Sequence, residues 1–182
     1  MKKENTVLYV VRLAVTLLII AGVMAAALAG VNSITAPIIA QLNYEKTQEA
    51  VSAVLEGGGD ELSDFPETAL VSKVYQGENG YAVEVTPSGF DNTITMMVGV
   101  GNDGNVTGIS IISHTETAGL GAVAAATTTA GAAFRDQFVG LNGTVSVTKD
   151  GGQVEAITSA TITSRAVCAG VNAALTVVAA MG

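Results

Sequence analysis

The first apolar block covers residues 13–31, LAVTLLIIAGVMAAALAGV, 19 residues without a charge. That is close to the roughly 20 residues a helix needs to cross a bilayer core. Pro37 follows and marks the exit. From residue 38 to 55 the pattern changes, with Ile38, Leu42, Val51 and Leu55 spaced at helix-like intervals among polar residues. This predicts an amphipathic juxtamembrane helix that serves as a spacer. Glu56-Gly57-Gly58-Gly59-Asp60 breaks it and opens an acidic loop that runs to Pro66.

Beyond Pro66 the pattern shortens to strands. Residues 69–75 (ALVSKVY) and 81–86 (YAVEVT) are candidate strands, and Pro87-Ser88-Gly89 is a turn. Residues 92–100 and 106–113 flank Gly101-Asn102-Asp103-Gly104-Asn105, which is a hairpin signature. Residues 145–148 and 154–157, on either side of Asp150-Gly151-Gly152, suggest a further strand pair. Residues 162–181 are rich in Ala and Val, lack Pro and predict a helix, in which Gly170 costs about 1 kcal/mol relative to Ala. The apolar part of that helix is shorter than a usual span and carries Asn172, so it reads as a buried core helix rather than a second membrane crossing. The fold class is α+β: an N-terminal transmembrane helix, then an antiparallel-sheet domain with packed helices, a C-terminal one among them. The boundaries are 1–12 for a cytoplasmic tail, 13–31 for the transmembrane helix, 32–66 for the juxtamembrane helix and linker, and 67–182 for an extracytoplasmic domain.

Charge orients this scheme. Lys2, Lys3 and Arg12 precede the apolar block, opposed only by Glu4. The positive-inside rule puts the N-terminus in the cytoplasm and the domain outside. The rival is a cleaved signal peptide, since Ala25-Ala26-Ala27 is a small-residue pattern, but signal h-regions are shorter than this block. After the block, five bases face fifteen acids. Such a domain offers no footprint for nucleic acid. Across all 182 residues the mean hydropathy is +0.48, with 4% aromatics and no Trp, so the core is aliphatic. The lone Cys168 sits in an apolar run and reads as a small buried side chain, not a reactive thiol or metal ligand.

Two hydroxyl- and glycine-rich segments carry the candidate chemistry. Glu155-Ala156-Ile157-Thr158-Ser159-Ala160-Thr161 runs straight into the last predicted helix. A Thr hydroxyl and unpaired N–H groups at a helix N-terminus suit a phosphate, although the same residues also make an ordinary N-cap. Arg165, one helical turn on, would reach back to phosphate oxygens. The other segment is Ser113-His114-Thr115-Glu116-Thr117-Ala118-Gly119-Leu120-Gly121. Its glycines permit close backbone approach to a flat ligand, or form a plain strand-to-helix turn. His114 is the only histidine, which argues against a metal cluster or a Ser–His unit. Neither a Gly-x-Ser-x-Gly elbow nor a phosphate-binding G-x-x-x-x-G-K-[ST] loop is present.

Together these segments resemble the paired motifs His-x-Glu-Thr-Pro-Gly-Leu-Gly and Asp-x-x-Ser/Thr-Gly-Ala-Thr. That pair marks the FMN-binding domain of the G subunit of Rnf-type ion-translocating electron-transport complexes. The C subunit of sodium-translocating NADH:quinone reductase is similar. The order of anchor, linker helix, hairpin and motifs matches across nearly the whole chain. Three positions depart from the pattern: Ala118 for Pro, Glu155 for Asp and Ser159 for Gly.

The resemblance implies a covalent FMN, joined by a flavin transferase through a phosphoester to Thr161. Thr158, Ser159, Ala160 and Arg165 would surround the phosphate. Glu116 and Thr117 would bond the ring edge or ribityl chain, Leu120 would pack on the ring, and Gly119 and Gly121 would let it approach. The implied function is electron relay between ferredoxin and NAD coupled to Na⁺ or H⁺ translocation. The implied partners are the other membrane subunits of such a complex. The alternatives are a stand-alone extracytoplasmic flavinylated carrier and an anchored scaffold module without flavin.

Overall fold

The computed structural model describes residues 3–66 and 68–181. Met1 and Lys2 of the basic tail, and Glu67 and Gly182 at the ends of the expected domain, lie outside them. The chain forms two compact units, Met1–Glu45 and Lys46–Gly182. The first unit is helical and belongs to α1, Lys3–Val54. Side chains from residue 7 to residue 34 are exposed, Leu8 at 72% and Leu18 at 73%. Each buried apolar side chain is worth about 1.5–3 kcal/mol, so an unpartnered helix of this kind fits a membrane anchor. The helix continues through Pro37 where the sequence predicted an exit. Proline removes only the one N–H that would reach the Ser33 carbonyl, and the helix continues past it. Anchor and juxtamembrane helix are therefore a single helix.

In the second unit, α1's last turns are packed rather than spacing. The sheet is an antiparallel meander in chain order: β1 (Asp60–Glu61), β2 (Val71–Gly77), β3 (Gly80–Val85), β4 (Thr95–Gly101) and β5 (Val106–Ser113). β1 lies in the segment expected to be only an acidic loop, and it pairs with β2 at Asp60–Gln76 and Glu61–Tyr75. The central strands are buried on both faces. On one face Ala50, Val51, Val54 and Leu55 of α1 and the turn after it cover Tyr75, Ala82 and Met97. Thr107 Oγ1 donates to the Val54 carbonyl at 2.5 Å, which satisfies an orphan acceptor at the helix end. A Cβ at Gly99 would run into that carbonyl, so glycine there lets the helix end lie on the sheet.

The other face carries Val83, Val85, Met96, Val98 and Val100 and packs on α3 (Thr161–Met181) through Val167, Val171, Ala174 and Val178. α3 is thus the core helix expected from its length. Gly170 allows it close to the sheet, since a Cβ there would meet Val85, Pro87 and Met96 at 3.0–3.3 Å. The connection from β5 to α3 passes through a 3₁₀ turn, Gly121–Ala125, and α2, Thr129–Asp136. Phe134 and Phe138 meet edge to face at 5.4 Å beneath it. The expected strand pair at 145–157 is only a single parallel bridge, Val147 to Val154, around a 3₁₀ turn at Thr148–Asp150. Val145 uses its backbone for the Asn172 side chain instead, with two bonds of 2.7 Å, so the chain there pairs with a helix side chain rather than a strand.

Candidate functional site

The segment before α3 is held by side chains from three places. Gln137 clamps the Glu155 backbone, Oε1 accepting from its N–H at 2.7 Å and Nε2 donating to its carbonyl at 3.3 Å. Ser164 Oγ accepts from Ile157 N–H and donates to the Ala160 carbonyl, both at 3.0 Å. Ala160 N–H closes a turn onto the Ile157 carbonyl at 2.9 Å. Within that turn Ser159 has φ +61°, and among the described residues it is the only non-glycine with positive φ. Turns of this kind favour glycine at that position, so the serine here is strained.

Ser164 N–H bonds to the Ala160 carbonyl at 3.0 Å, the first intrahelical bond of α3. The N–H groups of Thr161, Ile162 and Thr163 therefore precede the first intrahelical donor and carry the positive end of the helix dipole. Thr161 faces a cleft of about 260 Å³, together with Ser159, Ala160 and Thr163. The HTETAGLG loop supplies the opposite wall with Glu116, Thr117, Leu120 and Gly121. Phe90, Leu120 and Ile162 rim the cleft at 65%, 40% and 50% exposure. Among the described residues they are three of the four large apolar side chains exposed beyond residue 45, Val139 being the other. Apolar surface gathered at one concavity marks a ligand groove.

Seven of the ten anticipated site residues converge on this cleft: Glu116, Thr117, Leu120, Gly121, Ser159, Ala160 and Thr161. Gly119 and Thr158 line a different groove, with Phe134 and Gln137. Arg165 is engaged elsewhere. It forms a bidentate pair with Asp150, both N–O distances 2.7 Å, and this pairing holds the Asp150 carboxyl below its ordinary range and the guanidinium above its own. The cation beside Thr161 is Lys149, whose Nζ donates to Thr161 Oγ1 at 3.1 Å.

Glu116 is also differently employed. It is 8% exposed, and Oε1 accepts from Phe90 N–H at 2.8 Å and Asp91 N–H at 3.3 Å. Its Oε2 accepts from Thr163 Oγ1 at 2.5 Å. Glu116 is therefore a latch between the Phe90 loop and the first turn of α3. Gly89 and Gly121 leave room for it, because a Cβ at either would strike its carboxylate. Gly121 thus serves the latch as well as the cleft. The loop is secured further by Arg135, which donates to the carbonyls of Ala124 and Ala126 at 2.8 and 2.9 Å. His114 is half-buried, and its Nδ1 has no partner among the described residues. Cys168 is buried, and burial pushes its thiol up to about 11, which keeps it protonated.

Lys149, Phe90 and Thr163 escaped the sequence reading. Lys149-Asp150-Gly151 carried only a turn signal, and nothing local ties that turn to a helix start twelve residues later.

The class of the domain comes from its sequence: residues 89–176, which include the sheet's last two strands, the cleft and the start of α3, match the family model of an FMN-binding domain. The chain is 34% identical to the G subunit of the Na⁺-translocating ferredoxin:NAD⁺ oxidoreductase complex of Acetobacterium woodii, over 92% of this chain and 91% of that protein. It is 32% identical to the G subunit of the ion-translocating oxidoreductase complex of Methanosarcina acetivorans, over 94% and 95%. It is 31% identical to the G subunit of the proton-translocating ferredoxin:NAD⁺ oxidoreductase complex of Clostridium ljungdahlii, over 96% and 92%. The chain belongs to the G-subunit family of Rnf-type ion-translocating oxidoreductase complexes.

Proposed function

We propose that this chain carries FMN as a phosphoester on Thr161 and relays electrons within an Rnf-type ferredoxin:NAD oxidoreductase complex that moves Na⁺ or H⁺. The observation that carries the reading is Thr161, the first residue of α3, which lines an apolar-rimmed cleft together with the motif loop. The residues present fit the group. The first N–H groups of α3 and the Lys149 ammonium, bonded to Thr161 Oγ1, would stabilise a phosphate on that residue, and Phe90, Leu120 and Ile162 offer apolar surface for a flat ring system. Bound FMN supplies the capacity to accept and pass electrons. The chain supplies the tether, orientation and partial exclusion of water. Thr117, exposed on the cleft wall, can hydrogen-bond the polar part of the ligand, whereas Glu116 acts through the loop it latches.

The same reading places α1 in the cytoplasmic membrane as a single span. Lys2, Lys3 and Arg12 on the cytoplasmic side would leave the FMN domain outside. The partners are then the other membrane subunits of the complex and a flavin transferase that matures the chain. The Ser159 turn supports retention of flavin over a flavin-free scaffold, because serine there holds the positive φ that glycine, the family's residue at this position, adopts readily.

The test is fluorescence after denaturing electrophoresis of chain produced with a flavin transferase. Wild type should give a fluorescent band and Thr161→Val none. A band of equal intensity from the variant would refute the tether. Co-purification with other membrane subunits from the native host separates the complex from a stand-alone carrier.

A further inference from the structure

The cation nearest Thr161 is not the one its helix supplies. Arg165 lies one turn along α3, but its guanidinium is held in a bidentate pair by Asp150. Among the described residues Lys149 has no carboxylate within ion-pair distance, and its ammonium instead bonds Thr161 Oγ1. The backbone around Lys149 is fixed. Thr148 N–H bonds the Val154 carbonyl at 2.8 Å, Gly152 N–H bonds the Val147 carbonyl at 3.0 Å, and Gly151 turns the chain at φ +82°. The turn therefore presents a lysine to the first residue of a helix in a different segment.

Resting on the Thr161 tether, we propose that Lys149 is the positioning cation of flavin attachment. It orients the Thr161 hydroxyl before transfer and pairs with the phosphodiester afterwards, while Asp150 and Arg165 neutralise each other beside it. The chemistry is balanced with an activated flavin donor containing a phosphoanhydride, such as a flavin dinucleotide. The Thr161 Oγ–P bond forms and the phosphoanhydride P–O bond breaks. The hydroxyl proton is lost to a base and the nucleoside monophosphate leaves. No redox change occurs. Lys149 donates to Oγ1, which occupies one lone pair and narrows the directions open to the O–H. Once Oγ1 is esterified it is a poor acceptor, and the ammonium is within reach of the non-bridging oxygens, which carry one negative charge.

The expected size follows from an exposed charge pair. Two unit charges about 4 Å apart in water attract enough to change a rate or equilibrium about five-fold. At such a site the effect weakens as salt rises, because the screening length falls to about 3 Å at 1 M.

The experiment is a time course of flavin attachment to the full-length chain in detergent, with purified flavin transferase and flavin dinucleotide. Intact mass reads one added FMN less one water. Wild type, Lys149→Met, Lys149→Arg and Thr161→Val are compared at low and high salt, with circular dichroism to confirm equal folding. Lys149→Met should slow attachment about five-fold in kcat, with KM little changed, and the gap should narrow at high salt. Lys149→Arg should restore most of the rate. Equal rates for wild type and Lys149→Met would overturn the proposal. So would an Arg variant as slow as Met, or a loss confined to KM, which would make Lys149 a docking contact for the transferase. Attachment to Thr161→Val would sink the tether itself and the lysine's role with it. Its absence there, combined with unaltered Lys149→Met, would sink only the latter.

Discussion

Glu116 separates two accounts of the motif loop. As a flavin contact, it would matter only in the loaded protein. As the latch seen here, it matters before any flavin arrives. Glu116→Ala removes the acceptors of Phe90 N–H at 2.8 Å, Asp91 N–H at 3.3 Å and Thr163 Oγ1 at 2.5 Å. Thr163 is 1% exposed, so its hydroxyl is left without water to replace the bond. Stranding a buried donor costs about 1–3 kcal/mol. One such donor, the Thr163 hydroxyl, gives a loss of about 2 kcal/mol, with the Phe90 and Asp91 bonds adding little because Phe90 is exposed and water can replace them. Glu116→Gln keeps an acceptor for Phe90 and turns the Thr163 contact into an amide donor to the hydroxyl, so it should lose only about 1 kcal/mol, the charged part of those bonds. The assay is urea unfolding of the flavin-free chain in detergent, followed by the near-ultraviolet dichroism of tyrosine, with Tyr75 buried and only 2% exposed. Hydrogen exchange at the Phe90 amide should rise in parallel. A flavin-free Glu116→Ala chain within about 0.5 kcal/mol of wild type, the scatter of surface changes, would refute the latch. A defect visible only after flavin loading would return Glu116 to the role of ligand.

Two further outcomes follow from single positions. Ser159→Gly should stabilise the domain by about 0.5 kcal/mol, since relief of left-handed strain of about 1–2 kcal/mol exceeds the extra unfolded-state entropy of glycine of about 0.5–1 kcal/mol; lower stability in urea would mean that the serine side chain makes a contact worth more than its strain. Cys168 has a thiol raised by burial from 9.0 to about 11, so the stability it contributes is intact below pH 9 and lost as pH rises through 11. Cys168→Ala should therefore lose less stability than wild type between pH 9 and 11, while Tyr75 and Lys73, also raised, cancel in the comparison. Parallel curves for the two proteins would contradict the burial.

The elements that announced themselves in the sequence were those with local causes. The hairpin around residues 101–105 carries its own turn chemistry, and β4 and β5 lie on either side of it. The apolar run ending at Met181 is too long and regular for a strand and is buried as α3. What the sequence hid depends on contacts between distant segments. A two-residue strand at Asp60 exists only because β2 offers an edge. The end of α1 looks like a spacer until Gly99 and Thr107 receive it on the sheet. At the site, the motif residues were legible as a set because backbone geometry and hydroxyl chemistry are local. Their charge partners were not. Helical spacing pointed to Arg165, and a better carboxylate partner, Asp150, takes it away, leaving Lys149 in the position beside Thr161.

The central claim is that Thr161 is the bonded residue, and peptide mapping of the flavin-loaded chain tests it most directly. Trypsin cuts after Lys149 and Arg165, so one peptide, residues 150–165, contains Thr158, Ser159, Thr161, Thr163 and Ser164. The account predicts one FMN on this peptide, with fragment ions that place the added mass on Thr161. FMN on Thr158 or Thr163, on another peptide, or released intact by denaturation would contradict it.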